Sequence, residues 1–335
     1  MATLKDVAAL AGVGMSTASR AISGAGPVSA DAAARVRAAI EQLNFRPSSI
    51  GRSLSAQSLG MIGVFVPSFF GSYYSAILKQ TDTELRALRR HVVVATGCGD
   101  ESMREQAIEA VKFLISRDCD GILVLGHDLL DEDLIGLHRM HSKMAFLNRS
   151  CPHLPEASFC PNHHHGGVLA ASALLQHGHR RLAVISGPAG SSDNQTRLDG
   201  FFEQLARSGI ARDQVLMVES DFSRGGGFAS TQALLDQGQP FTGLFCANDE
   251  MAIGALSCLH RAGVPVPDQV SVVGYDDDYS AAFSAPGLTS VHMPTAELTQ
   301  NAVRWLLNQC YGTSHQIHRD FAVTVTARGS LGAPG

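Results

Sequence analysis

Short apolar runs alternate with stretches of helical periodicity along most of the chain, beginning at Met61. In chain order the runs are MIGVFVP, VVVAT, GILVLG, MAFLN, LAVISG, VLMVE, GLFCAN, VSVVGYD and LTSVHMP. Strands that alternate with helices at this spacing predict an α/β fold with parallel, doubly wound sheets. The runs are too numerous for one sheet, so we expect two lobes. Ligands of such folds bind at the carboxyl ends of strands, which predicts a binding cleft between the lobes.

The first 45 residues have apolar positions at helical spacing and no strand-like run. Thr3 and Asp6 form a capping box, which predicts a helix that starts at Leu4. A second helix is predicted over 15–23 and a third over 29–44. Three short helices, the first two joined by the glycine-containing turn GVG, are typical of a helix-turn-helix module. A plain three-helix bundle has the same periodicity, and the pattern alone leaves both open.

In a helix-turn-helix module the second helix enters the major groove of DNA. The outward side chains of the predicted second helix are Met15, Ser16, Thr17, Ser19 and Arg20. Arg20 can fork onto a guanine edge, Ser16 can donate or accept a hydrogen bond, and Met15 can press on a thymine methyl group.

Charge is distributed unevenly between this head and the rest of the chain. The protein has 335 residues and a net charge of −5. Residues 1–58 carry six basic and three acidic side chains, so they contribute +3 and the remainder −8. A basic head on an acidic body is expected when only the head meets phosphate groups.

Other sequence features favour a folded protein of the cytoplasm. Hydrophobic residues make up 45% and charged residues 17% of the chain, a balance typical of a globular protein. No apolar stretch is long enough to span a membrane, and the first residues lack the pattern of a secretory signal. The cysteines are scattered without a CxxC pair, so we expect buried thiols rather than a zinc site or a nucleophile. They are Cys98, Cys119, Cys151, Cys160, Cys246, Cys258 and Cys310.

Polar side chains follow three of the predicted strands. Asn248 and Asp249 come after GLFCA, Asp276 ends VSVVGYD, and Arg197 lies beyond LAVISGPAG. An arginine with carboxylate and amide groups suits a neutral polyol, whose hydroxyl groups both donate and accept. The alternative is that Asn and Asp residues after strands cap the next helix. The adjacent histidines at 163–165 lack the spacing of a metal site, and we interpret them as a helix start near the cleft or the surface.

The head closely resembles that of the lactose/galactose repressor family. The matching residues are TLKDVAALAGVGMSTASRAISG, then VSADAAARVRAAIEQLNFRP. The resemblance implies base contacts from Met15, Ser16 and Arg20. It also implies phosphate contacts from Thr3, Thr17, Ser19 and Asn44. Gly14 replaces the family's usual serine, which removes a helix cap, and Ala18 replaces the usual valine.

The segment after the head, FRPSSIGRSLSAQSL, is too short to hold a helix by itself in water, and its residues alone favour a flexible linker. The family resemblance instead implies a hinge helix that pairs with its dimer mate in the minor groove. Leu54 is then the leucine that wedges between base pairs. Ser48 and Gly51 depart from the family pattern, and we expect a labile hinge.

The body resembles the same family through RLDGF, ANDEMAIGAL and SVVGYDD. The resemblance implies effector contacts from Arg197, Asn248 and Asp276, from Asn148 in FLNR, and from an aromatic wall. In PSFFGSYY that wall is Phe70 or Tyr73. FLNR and RLDGF are most similar to the galactose-type and β-glucoside-type branch. This chain departs from that branch at Asn162, where an aspartate is frequent.

Three regions are predicted. Residues 1–45 form the DNA-binding domain, 46–59 the hinge, and 60–335 an effector-binding and dimerisation body like a periplasmic binding protein. The lobes of the body are expected at about 60–160 plus 292–318, and 161–291 plus 319–330.

The expected function is a sequence-specific DNA-binding regulator, a repressor of carbohydrate genes that a small sugar releases from its operator. We expect a homodimer on a two-fold operator, because one small module buries too little DNA for tight binding. The C-terminal tail lacks the heptads that could join two dimers into a tetramer. No enzyme activity, cofactor or metal is expected. The alternatives are a sugar-binding protein of the cytosol or of a transport system, a sugar-active enzyme, and a regulator that responds to a nucleoside or phosphosugar.

Overall fold

The computed structural model describes residues 2–23, 26–45, 58–69, 71–97, 102–126 and 128–335. Two predicted site residues, Leu54 and Phe70, lie outside the described residues. The chain divides into two compact units. The first contains Met1–Met61 with Asp118–Asp120, and the second contains Ile62–Arg117 with Gly121–Gly335.

The described part of the first unit is helical, with α1 (Leu4–Leu10), α2 (Met15–Ser23) and α3 (Ala30–Gln42). Thr3 caps α1 with both hydrogen bonds of the predicted capping box, and Ser29 caps α3. Small side chains form the core, which lets the short helices approach closely. These core residues are Val7, Ala8, Ala11, Ala18, Val36 and Ala39. The three-helix head predicted from the sequence is confirmed.

The carboxylate of Asp120 holds the chain just before the first strand. Its oxygens accept hydrogen bonds from the hydroxyl of Ser58 at 2.8 Å and from the backbone N–H groups of Leu59 and Gly60 at 2.9 and 2.7 Å. These contacts hold residues 58–60 against Asp120 within the first unit.

The second unit is built on two sheets. The first lobe consists of β1 (Met61–Phe65), α4 (Ser72–Ala87), β2 (His91–Ala95), α5 (Met103–Ser116), β3 (Gly121–Leu125), α6 (Asp131–Met140), β4 (Met144–Leu147) and β5 (Ser158–Phe159). The second lobe consists of α7 (His163–Gln176), β6 (Leu182–Ser186), α8 (Ser192–Arg207), β7 (Leu216–Glu219), α9 (Arg224–Asp236), β8 (Gly243–Cys246), α10 (Asp249–Arg261), β9 (Ser271–Asp276) and β10 (Thr289–His292). The chain then returns to the first lobe as α11 (Thr295–Tyr311) and ends in the second lobe with β11 (Thr324–Thr326).

The strand order is β2-β1-β3-β4-β5 in the first sheet and β11-β10-β9-β8-β6-β7 in the second. Each of the nine apolar runs contains a strand, which confirms the two-lobed α/β prediction. The sheets are parallel as predicted, with one exception at an edge, where β11 runs antiparallel to β10. Its sequence, TVT, is short and half exposed, so it lacks the apolar signal of a buried strand.

Helices α7 and α8 cross at glycines in the second lobe. A Cβ atom on Gly167 would collide with the backbone of α8 at Arg197, and a Cβ atom on Gly200 would collide with the backbone of α7 at His164. The glycine of the RLDGF motif is therefore needed for close helix packing. Arg197 of α8 lies over the ring of Tyr275 in strand β9.

The cysteine prediction is partly wrong. Cys119, Cys151, Cys246 and Cys258 are buried, but Cys160 and Cys310 are only half buried. Cys98 lies outside the described residues. In the part of the chain that the structure describes, no helix is long and apolar enough to cross a membrane.

Candidate functional site

The outer face of α2 carries the residues predicted to read bases. Met15 is 57% exposed, and Ser16 and Arg20 are exposed beside it. Nε of Arg20 donates to the carbonyl oxygen of Ser16 at 3.2 Å, which folds the guanidinium back along the helix. The structure thus brings these three side chains together on one face.

The residues predicted to contact phosphate differ in their exposure to solvent. Thr17 and Ser19 are half buried, and Asn44 is exposed at a positive φ of 44° after α3. The Thr3 hydroxyl lies 2.8 Å from Asp6 Oδ2. Hydrogen bonds from the Thr3 backbone and hydroxyl lower the pKa of Asp6.

Gly14 occupies the position before α2 where a capping side chain would stand. Its carbonyl oxygen accepts from the backbone N–H groups of Thr17 and Ala18 at 2.9 and 3.0 Å. A Cβ atom at Gly14 would meet no atom within 4 Å. The missing cap therefore reflects the residue type and not a lack of space.

In the second unit, Arg197 lies at the centre of the candidate cleft. Its side chain is 2% exposed, and its guanidinium lies 3.6 Å from the centroid of the Tyr275 ring. One terminal nitrogen donates to the carbonyl oxygen of Ala247, and the other lies 3.6 Å from Asp193. Nε is buried without a hydrogen-bond partner among the described residues.

Asp276 and Tyr73 border the same region. Asp276 ends β9 with a positive φ of 108°, and burial raises the pKa of its carboxyl group to about 8, although Arg197 opposes the shift. The hydroxyl of Tyr73, predicted as an aromatic wall, is buried and has no hydrogen-bond partner among the described residues. Burial and the nearby Asp276 carboxylate raise the pKa of this phenol.

Asn148, which follows β4 in the first lobe, reaches the second lobe with both ends of its amide. Nδ2 donates to Asp193 at 3.2 Å, and Oδ1 lies 2.8 Å from Nε2 of His163. The other ring nitrogen of His163 lies 3.1 Å from the Tyr275 hydroxyl. These contacts link Asn148 to the side chains that surround Arg197.

Asn248 acts as a helix cap in this structure. Its Oδ1 accepts from the Met251 N–H at 2.9 Å, and its Nδ2 donates to the Phe222 carbonyl oxygen at 3.0 Å. The observed geometry of Asn248 is therefore that of the alternative given above, in which the residue caps the next helix. Its predicted effector contact stays a prediction.

A second polar contact joins the lobes beside the cleft. The hydroxyl group of Ser72, at the start of α4, donates to Glu250 of α10 at 3.1 Å and also contacts the Asp278 carboxylate. Nε of Arg224 lies 2.5 Å from Glu250 on the opposite side. The carboxylate of Glu250 thus lies between the N-terminus of a first-lobe helix and an arginine of the second lobe.

A cavity of about 250 Å³ opens at the mouth of the cleft. Asn148, Cys160, His163 and Asp193 are among the residues that line it. Across the described ranges, no group of three or more His, Cys, Asp or Glu side chains is arranged to hold a metal ion.

Several residues of this region were not predicted as effector contacts. His163 is buried at the cleft and not merely at a helix start, Tyr275 supports Arg197, and Asp193 pairs with it. Asp249, named from the sequence only as following a strand, is fully buried near Asp276 and accepts from the Ser290 hydroxyl at 2.6 Å. Tyr275 and Asp249 stand inside motifs that were noted, so their positions carried a signal. His163 and Asp193 stand in helix starts whose orientation depends on tertiary packing.

Comparison with known proteins identifies the two units. Residues 3–48 match the family described as bacterial regulatory proteins, lacI family, and residues 171–331 match the periplasmic binding protein-like domain. The HTH-type transcriptional regulator AscG of Escherichia coli K12 is 32% identical to this chain. That similarity covers 100% of this chain and 99% of the relative. The chain belongs to the LacI family.

Solved structures agree with this assignment. A LacI-family transcriptional regulator from Burkhoderia phymatum is 67% identical and has a TM-score of 0.80, covering 82% of this chain and 99% of its own. The lac repressor dimer bound to operator and an anti-inducer is 29% identical, with a TM-score of 0.83 and 99% coverage of both chains. As a LacI-family member the protein is a DNA-binding transcriptional regulator and not an enzyme.

Proposed function

We propose that this LacI-family regulator controls carbohydrate genes as a homodimer and that an uncharged sugar, bound between its lobes, changes its affinity for the operator. The observation that carries the proposal is the buried polar group around Arg197. Arg197 Nε and the Tyr73 hydroxyl both lack partners among the described residues, and Asp276 lies beside them. Unpaired buried polar groups are costly, and the hydroxyl groups of a sugar would satisfy donors and acceptors together.

The balance of charge favours a neutral effector over a phosphosugar. Asp278, Asp193 and Glu250 are close enough to Asp276 to raise its pKa, whereas Arg197 lowers it. A phosphate group would add negative charge to this carboxylate-rich region, and like charges repel strongly where water is scarce. The aromatic ring of Tyr73 suits the C–H face of a sugar.

Known relatives support a carbohydrate. Two similar solved structures contain a sugar: a CelR complex with cellobiose, 28% identical with a TM-score of 0.70, and an Enterococcus faecium regulator with bound ribose, 25% identical with a TM-score of 0.70. In this proposal the effector contacts are Tyr73, Asn148, Arg197, Asn248 and Asp276, and the protein acts in the cytoplasm, where its operator lies.

Calorimetry on the full-length protein tests the proposal. D-Ribose, D-galactose, D-glucose and cellobiose are titrated against the protein, with D-glucose 6-phosphate as the charged counterpart of glucose. We expect saturable binding of a neutral sugar that also changes affinity for operator DNA. Binding of the phosphorylated sugar alone would contradict the neutral effector, and the absence of any sugar-dependent operator response would contradict the proposal.

A further inference from the structure

The hydrogen bonds of Asn148 fix the protonation state of His163. The Asp193 carboxylate only accepts, so the amide nitrogen of Asn148 must face it. The amide oxygen therefore faces Nε2 of His163 at 2.8 Å, and because that oxygen also only accepts, Nε2 must carry a proton.

His163 is held in this state by its surroundings. The residue is 3% exposed, and burial together with the Arg197 charge lowers its pKa to about 3, so the ring is neutral near pH 7. A neutral imidazole with its proton on Nε2 accepts at Nδ1. The Tyr275 hydroxyl, 3.1 Å away, then donates to it. The hydrogen bonds thus run in one direction, from Tyr275 through His163 and Asn148 to Asp193.

Asn148 is the first-lobe member of this chain of hydrogen bonds. Its backbone is fixed by its N–H, which donates to the Phe159 carbonyl oxygen at 2.8 Å, and by a positive φ of 58°. Its amide is oriented by His163 and Asp193 of the second lobe. We propose that His163 is a positioning residue, which aligns the Asn148 amide between the lobes and so holds the two lobes together on this side of the cleft.

This proposal rests on the proposed function in one respect, that the cleft is the effector site. The positioning role of His163 itself does not require an effector. A test without any effector therefore separates the two. Cys160 provides the reporter, since it lines the cavity beside Asn148 and His163 and is half buried. Burial, with Asp193 nearby, raises the pKa of its thiol to about 12, which keeps the thiol protonated and slows its alkylation while the Asn148 contacts are intact.

The experiment measures the alkylation rate of Cys160 by iodoacetamide in the full-length protein, with peptide mass spectrometry. His163→Phe keeps an aromatic ring but removes both hydrogen bonds, and we expect alkylation to become about tenfold faster. His163→Gln keeps an N–H donor for Asn148 and should return the rate most of the way to that of the wild type. His164→Phe is the matched control, because His164 contacts Glu203 within the second lobe, and its rate should not change.

Cys246, fully buried in the second lobe, reports unfolding in the same samples. If His163→Phe also exposes Cys246, the Asn148→Asp variant provides the test instead. That substitution places a carboxylate against Asp193 but retains the oxygen that accepts from His163. We expect faster alkylation at Cys160 and not at Cys246 in that variant. A wild-type rate in the variant that stays folded, or equal rates in His163→Gln and His163→Phe, would overturn the proposal.

Discussion

The guanidinium of Arg197 lies 3.6 Å from the centroid of the Tyr275 ring, and both side chains are almost completely buried. A cation over an aromatic face is stabilised by the ring quadrupole, more so when both are shielded from water. Helix α8 supplies the arginine and strand β9 the tyrosine, so the contact joins the RLDGF and SVVGYDD motifs at one point. Asp193 and Asp276 lie around the same charge.

Replacing Arg197 tests the effector site. In Arg197→Ala we expect operator binding to remain and the response to sugar to be lost. The substitution removes the proposed effector contact, and Arg197 belongs to a different unit from the DNA-binding head. Fluorescence anisotropy of operator DNA with and without sugar measures both properties. Arg212→Ala is the matched control, since Arg212 stacks on Phe202 at 4.3 Å outside the cleft. A normal sugar response in Arg197→Ala would show that the effector site is misplaced.

Replacing Asp276 tests its raised pKa. A carboxyl group whose pKa rises from 3.8 to about 8 on folding binds its proton more tightly in the folded state. Its contribution to stability is complete below pH 4 and is lost as the pH rises toward 8, by at most about 1.4 kcal/mol per pH unit. Asp276→Asn should flatten the pH dependence of the free energy of unfolding between pH 4 and pH 8. Parallel curves for wild type and variant would refute the shift.

Gly14→Ser restores the missing cap of α2. The side chain fits, because a Cβ atom there has no neighbour within 4 Å, and replacing glycine with serine at such a position contributes a few tenths of a kcal/mol. We expect a slightly more stable head and tighter operator binding. Gly12→Ser is the control and should destabilise the head, because Gly12 has a φ of 61°. Thermal unfolding followed by circular dichroism compares them. Weaker operator binding by Gly14→Ser would contradict the claim that a cap at this position strengthens the contact of α2 with DNA.

Arg20→Ala tests base reading by the exposed face of α2. Loss of a bidentate contact to guanine should cost about 1–3 kcal/mol of discrimination between bases. Selection of preferred duplexes from a randomised pool, followed by competition binding, measures the change. Arg139→Ala, at an exposed site in the second unit, should bind like the wild type. An unchanged base preference in Arg20→Ala would exclude the assigned role.

The sequence predicted the elements that carry strong periodicity or capping signals. The three helices of the head follow from Thr3, Ser29 and apolar spacing, and the nine apolar runs all contain strands. Motif matches led to Arg197, Asn148 and Asp276, which the fold brings close together. Asn248 follows β8 directly and caps α10, an arrangement that the sequence offered as the alternative to an effector contact.

The role of His163 was not predicted, because local sequence does not specify tertiary contacts. Adjacent histidines at a helix start can face solvent or the protein interior. The close crossing of α7 and α8, together with the position of Asn148 on the other lobe, determines that His163 is the buried one. β11 was missed for a different reason, since a short edge strand has no distinctive pattern of buried residues.

Competition binding with the full-length protein tests the central claim most directly. A duplex selected from a random pool is bound at moderate salt and challenged with random-sequence DNA, first alone and then with each neutral sugar. We predict a preference for the selected duplex of at least about 10³-fold and a change in that affinity with one of the sugars. Equal affinity for selected and random DNA, with or without sugar, would contradict the account.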